Sequence, residues 1–194
     1  MIPVRPPAAR PRGPAEPGGG TAALDGAGVA HVSLEQAAWD VLRSVQDPEL
    51  PIAITDLGLV RDVRVDADPD SREPGARISV RLVPTWTACP ALAVIRSRVR
   101  DGLFAIPGVR EVSVEYTYDE PWTLERITSR GRSQLAAHGL AVPACRFAEP
   151  PLCPYCGSHD VELGSLFGPT LCRSTYVCRH CRNPFERFKP PAEP

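Results

Sequence analysis

Two Cys-x-x-Cys pairs, Cys153-Pro154-Tyr155-Cys156 and Cys178-Arg179-His180-Cys181, carry the most definite chemistry in this chain. A tight knuckle at each pair aims two sulfurs at one point, and four thiolates complete the tetrahedral shell of a structural zinc. Twenty-one residues separate Cys156 from Cys178, slightly more than the about 15–20 usual for such sites. The competing arrangement, a pair of disulfides, suits a reducing compartment poorly. So short a segment rarely folds without a staple, so metal binding would supply its folding energy. His180, inside the second knuckle, reads as exposed rather than ligating. Cys172 has no knuckle partner and reads as a non-ligand. The alternatives are a buried fifth cysteine, a ligand replacing one of the four, or a thiol for iron delivery.

A different thiol chemistry is written at Thr85-Trp86-Thr87-Ala88-Cys89-Pro90. Proline favours the first helical position, which puts Cys89 at or next to an N-cap, where unpaired N–H groups and the helix dipole lower a thiol's pKa. Thr85 and Thr87 add hydroxyls, and Asp47, Glu49 and Asp56 supply carboxylates from a preceding loop. One soft sulfur among hard oxygens can hold iron transiently but makes a poor permanent zinc cage. The plain alternative for Cys89 is a small buried hydrophobe. For Asp47-Pro48-Glu49 it is a helix stop and turn. A catalytic cysteine needs a base, and none of His31, His138, His159 and His180 is an obvious partner.

The elements that must position these residues follow from periodicity. Ser33-x-x-Gln36 has the form of a capping box, and Leu34, Ala37, Ala38, Val41, Leu42 and Val45 recur at helical spacing, predicting a helix over about 34–46. Val63 and Val65, then Ile78, Val80 and Leu82, alternate with polar residues as a hairpin with a long loop. Leu92, Ile95, Val99 and Leu103 predict a helix over 91–104, and Val112, Val114 and Tyr116 a further strand. Strand, helix, strand implies a crossover joining parallel strands. The fold class is therefore α/β (α+β), a small sheet with helices on one face. One more helix is expected over about 124–138, ending at Gly139. Short apolar stretches in the cysteine-rich tail suggest β-hairpins. The expected organisation is a disordered Pro/Gly/Ala-rich leader over 1–30, the α/β domain over 31–142, a linker over 143–151 and a four-cysteine ribbon over 152–194.

The net charge of −1 gives no bulk attraction to nucleic acid or anionic membrane. No apolar run approaches the roughly 20 residues of a membrane span. The start lacks a secretory signal's apolar core, and its six prolines before residue 20 break the amphipathic helix of a transit peptide. A cytoplasmic protein is expected. Arg173, Arg179, Arg182, Arg187 and Lys189 make the tail basic, usually a solvated face. Phe185 and Phe188 either pack beneath the knuckles or form a docking patch.

Asp47-Pro48-Glu49, Asp56-Leu57-Gly58-Leu59-Val60, Thr87-Ala88-Cys89-Pro90 and Ile106-Pro107-Gly108-Val109 occur in the order of the MIP-type domain of iron–sulfur assembly factors, which includes SufT-like proteins. The chain resembles that family over residues 33 to about 117, with Ala88 where the family usually has Gly. The resemblance implies a small α/β fold and a part in maturing iron–sulfur proteins. Pro121-Trp122-Thr123, Gly131-Arg132, Gly139-Leu140, the cysteine tail, Phe167-Gly168-Pro169-Thr170-x-Cys172 and Pro184-Phe185-x-x-Phe188-Lys189 resemble one branch, the D components of phenylacetyl-CoA epoxidase systems of aerobic bacterial phenylacetate catabolism. The resemblance implies an accessory component, not the di-iron oxygenase, and its partners would be the oxygenase and reductase components. The chain agrees in lacking the Glu-x-x-His pairs of a di-iron carboxylate site.

These readings converge on an accessory, non-catalytic factor with structural zinc at Cys153, Cys156, Cys178 and Cys181. Iron or an iron–sulfur unit would be handled transiently by Cys89, Asp47, Glu49, Thr87 and Asp56. Neither nucleic acid nor membrane is an expected partner, and a homodimer stays open. The competing readings are a zinc-ribbon module binding nucleic acid or a regulatory protein, and a thiol enzyme with Cys89 as nucleophile.

Overall fold

A computed structural model describes residues 33–67, 75–142 and 150–189. The leader expected over 1–30 and most of the expected linker lie outside the described residues. Helix α1, Leu34–Ser44, opens as its capping signal predicts, with the Ser33 hydroxyl accepting from the Gln36 N–H at 3.2 Å. It ends two residues early. Val45 is already extended, and Gln46 bridges to Ala53 across a tight reversal closed by Asp47 N–H to Ile52 O (3.0 Å) and Ile54 N–H to Val45 O (2.9 Å).

Strands β1 (Val60–Ala67), β2 (Ala76–Leu82) and β3 (Val109–Tyr116) form a sheet in that order, antiparallel between β1 and β2 and parallel between β2 and β3. Helix α2, Ala91–Phe104, makes the β2–β3 crossover. The register sorts the faces. Val63, Ile78, Val80, Leu82, Val112 and Val114 join the core with Leu42, Ile95, Val99 and Leu103 of α1 and α2, while Asp62 and Arg81 pair on the other face. Alternation of period two on the strands and 3.6 on the helices brings these apolar stripes together.

The helix expected over about 124–138 is two pieces, a 3-10 turn at Leu124–Arg126 and helix α3 at Ser129–Ala137. Ile127 between them is extended, and the Thr128 hydroxyl accepts from the Gly131 N–H at 3.0 Å, restarting the helix as an N-cap. That hydroxyl donates in turn to Asp56 at 2.8 Å, so a tertiary contact fixes the break.

The tail folds as strands β5 (Val161–Ser165), β6 (Arg173–Cys178) and β7 (Pro184–Phe188), joined antiparallel, with β4 (Leu140–Ala141) added parallel to β7. Strand alternation gives this sheet two different faces. Phe185 stacks on Tyr176 (ring centroids 5.7 Å apart) and packs with Ala141, Cys153 and Cys178. Leu140 and Phe188 point the other way into the α/β core, where Phe188 meets Trp122 edge-on at 5.6 Å. The two phenylalanines thus serve the knuckles and the core, one each, rather than an exposed patch. Among the described residues no helix is long and apolar enough to cross a membrane.

Candidate metal centre and thiol site

The two knuckles are built alike. In the first, the Gly157 N–H donates to Cys153 O (2.9 Å) and the Cys153 N–H to Ser158 O (3.0 Å). In the second, the Arg182 N–H donates to Cys178 O (2.8 Å) and the Cys178 N–H to Asn183 O (3.0 Å). The turn needs a left-handed residue after each second cysteine. Gly157 takes it at φ 72°, and Arg182 takes it at φ 62°, the one non-glycine with positive φ among the described residues. The four Sγ atoms lie within 4.8 Å of one another, with Cys153–Cys181 and Cys156–Cys178 each at 3.6 Å. An ion with Zn–S bonds of about 2.3 Å would hold its sulfurs about 3.8 Å apart, so the donor set fits a tetrahedral ion. Cys172 and the exposed His180 are outside the group. Of the seven cysteines, Cys145 lies outside the described residues.

The second site is Cys89. Pro90, expected at the first helical position, is instead the N-cap of α2 (φ −65°, ψ −22°), and Cys89 stands just before it in a pair of turns, Cys89 N–H to Trp86 O and Leu92 N–H to Cys89 O, both 3.3 Å. The helix end is near enough to act, since the Ala91 N–H pulls the thiol's pKa down. It does not win. Burial pushes the Cys89 thiol up, and Cys172, Glu49 and Asp47 add to the rise. The expectation of a helix-activated thiolate is therefore reversed, because desolvation and negative neighbours outweigh one helix end.

The Asp47 carboxylate accepts from the Glu49 N–H (2.8 Å) and the Leu50 N–H (3.0 Å), which fixes the loop. Burial raises its pKa despite these bonds. Glu49 reaches across to Arg173, at the start of β6, at 3.2 Å, and the same guanidinium holds Glu186 at 2.6 Å and Thr170 at 2.8 Å. Tyr116 closes another side, its hydroxyl donating to Leu92 O at 2.8 Å. Burial raises its pKa, and Cys89 and Asp47 are among the charges it feels.

Thr87 is exposed on the rim of an apolar cleft of about 440 Å³ between Trp86 and Tyr118. Asp56 is occupied elsewhere: buried, it accepts from Thr128 and Arg130 and clamps the start of α3. Cys89 thus feels the charges of Asp47 and Glu49, while Asp56 is engaged at α3. Sequence reading did not place Arg173 here, since nothing in a linear string ties the ribbon to a loop over a hundred residues earlier. The basic tail is no open stripe either. Arg173 and Arg187 are buried, Arg179 pairs with Glu162, and Lys189 lies over the Phe167 ring.

Residues 35–115 match the family described as iron-sulfur cluster assembly protein, and residues 146–189 match the PaaD zinc beta ribbon domain. The class of protein is therefore an iron–sulfur assembly domain carrying a metal-binding ribbon. Over 157 residues the chain is 34% identical to the D component of the putative 1,2-phenylacetyl-CoA epoxidase of Escherichia coli (strain K12), covering 78% of this chain and 90% of that one. The chain belongs to that D-component (PaaD) family. It is also 30% identical over 95 residues to the Fe-S protein maturation auxiliary factor of Porphyromonas gingivalis, covering 49% of this chain and 84% of that one. Among solved structures, the DUF59 domain of Bacillus anthracis is 31% identical over 51% of this chain and 88% of that one, with a TM-score of 0.44. The family's role is accessory, in iron–sulfur assembly, rather than catalytic.

Proposed function

We propose that this protein assists iron or iron–sulfur centre assembly in a phenylacetyl-CoA epoxidase system, with the oxygenase and reductase components as its partners. The α/β half, taken as 31–142, would handle the cargo, and the ribbon, taken as 152–194, would dock the partner around a structural zinc. The name of the Escherichia coli relative supports the first point.

The observation that carries the reading is the company Cys89 keeps: a half-buried thiol that feels the negative charges of Asp47 and Glu49. At neutral pH the raised thiol stays protonated, so it resists oxidation and stray alkylation. A cation entering beside those carboxylates reverses the local electrostatics, favours loss of the thiol proton and gains a sulfur ligand. Among the described residues Cys89 belongs to no ready-made group of metal-ligand atoms, so cargo can leave again. Thr87, on the exposed rim, would meet the partner first.

The test is Cys89→Ser, purified anaerobically with the oxygenase and reductase components, with metal analysis of each. The expected result is an intact fold and unchanged ribbon zinc, with an under-metallated partner. Normal iron loading of every component would overturn the proposal.

A further inference from the structure

Arg173 is 8% exposed, and each of its three nitrogens has its own acceptor. Nε donates to the Thr170 hydroxyl at 2.8 Å, and the two terminal nitrogens donate to Glu186 at 2.6 Å and to Glu49 at 3.2 Å. Glu49 lies 124 residues earlier, in the α/β half. A buried guanidinium used in this way fixes its partners in direction as well as distance, and leaving it unpaired is costly.

The two carboxylates are anchored differently. Glu186 stands in the middle of β7, opposite Thr175 of β6, and its N–H donates to Gly139 O at 2.8 Å. Glu49 belongs to the turn that the Asp47 carboxylate closes through the Glu49 and Leu50 N–H groups. Arg173 and Glu186 therefore sit on the two strands that close at the second knuckle. Strand β6 ends at Cys178, Cys181 lies three residues before β7, and Val177 is paired with Pro184 at the closing end. Whatever fixes the knuckle fixes the strand pair, and the strand pair presents the guanidinium to Glu49.

We propose that Arg173 is a positioning residue that couples the ribbon's metal to the Asp47–Glu49 loop. With the four thiolates closed on an ion, β6 and β7 hold Arg173 against Glu49 and the loop is fixed. Without the ion the strand pair frays from the knuckle, the guanidinium loses its seat and the loop loosens. The inference goes beyond the functional reading, and it holds or fails whether or not the loop handles iron. Coupling of this kind is reciprocal. The contact with Glu49 must therefore strengthen the ribbon's hold on its ion, although Glu49 is not among the four ligands. A lysine at 173 would keep the charge but not the planar fork that engages three acceptors.

The experiment uses the full chain, with zinc titrated against a competing chelator and amide hydrogen exchange followed peptide by peptide. In the wild type, zinc should slow exchange over residues 47–54 by about tenfold, as well as over β6 and β7. Glu49→Gln keeps the size of the side chain and removes its charge. Its 47–54 segment should exchange like that of the zinc-free wild type whether zinc is present or not, while zinc still protects β6 and β7. Its zinc affinity should fall by a comparable factor, about tenfold. Arg173→Lys should lose the coupling in part, and Glu49→Gln decides the matter if that variant fails to fold. Wild-type loop exchange that ignores zinc would overturn the inference. So would a Glu49→Gln variant with wild-type zinc affinity and a loop that still responds to zinc. Either result leaves the iron reading to its own test with Cys89→Ser.

Discussion

Asp47 shows how a residue can cost stability even while its hydrogen bonds are satisfied. Its Oδ1 accepts two backbone N–H groups, while burial raises its pKa from the ordinary 3.8. A carboxyl raised in the folded state costs stability above its unfolded pKa, and the cost fades as the pH falls through the folded value. Asn at this position keeps the accepting oxygen and cannot ionise. Asp47→Asn is therefore expected to melt at or above the wild type at pH 7, the gap closing as the pH drops through the raised value toward 3.8. Calorimetry from pH 7 downward checks this, and a variant that melts lower at pH 7 would contradict the assigned cause. Both Asp47 and Asp56 were legible in the sequence as candidate carboxylates. What separated them is tertiary: Thr128 and Arg130, far along the chain, engage Asp56, while the charge of Asp47 acts on the Cys89 thiol.

At the scale of elements, β7 decides how the ribbon is used. Its alternation sends Phe185 toward the metal knuckles and Phe188 onto Trp122. Trp122 in turn donates to Leu57 O at 2.8 Å, so the contact reaches the loop that follows Asp56. Phe188→Ala should lower stability by about 3–5 kcal/mol, read as a lower urea midpoint, with the metal content of the ribbon unchanged because no ligand touches that face. Loss of the metal together with the stability would mean that the two faces are not independent. The helix starts tell a similar story. Ser33 announced α1 through its own side chain, and Thr128 caps α3 by the same chemistry. The break between Arg126 and Ser129 was missed because an apolar periodicity runs through it, and the hydrogen bond that fixes it is donated by Thr128 to distant Asp56.

For the whole molecule, the ribbon is too small to hold itself together. Its own cluster gathers Ala141, Cys153, Cys178 and Phe185 with Val161, Tyr176 and Cys181, and Phe188 packs into the α/β core. Stripping the metal with a strong chelator should lower the melting temperature by on the order of 10 °C. Tryptophan emission should shift red as Phe188 leaves Trp122, while the helical circular dichroism of α1 and α2 persists. An unchanged melting temperature would show that the ribbon folds without its ion.

Local chemistry was enough for the ribbon's four ligands, because two sulfurs three residues apart on a knuckle converge whatever surrounds them. Periodicity was enough for the three-stranded sheet and its two covering helices, because faces with matching repeats must meet to leave water. The state of Cys89 was not legible. Helix position alone argued for a lowered pKa, and burial with the charges of distant residues reversed it. Tertiary structure alone placed Arg173 on Glu49. Desolvation and charge act through space, and a linear sequence does not record those distances.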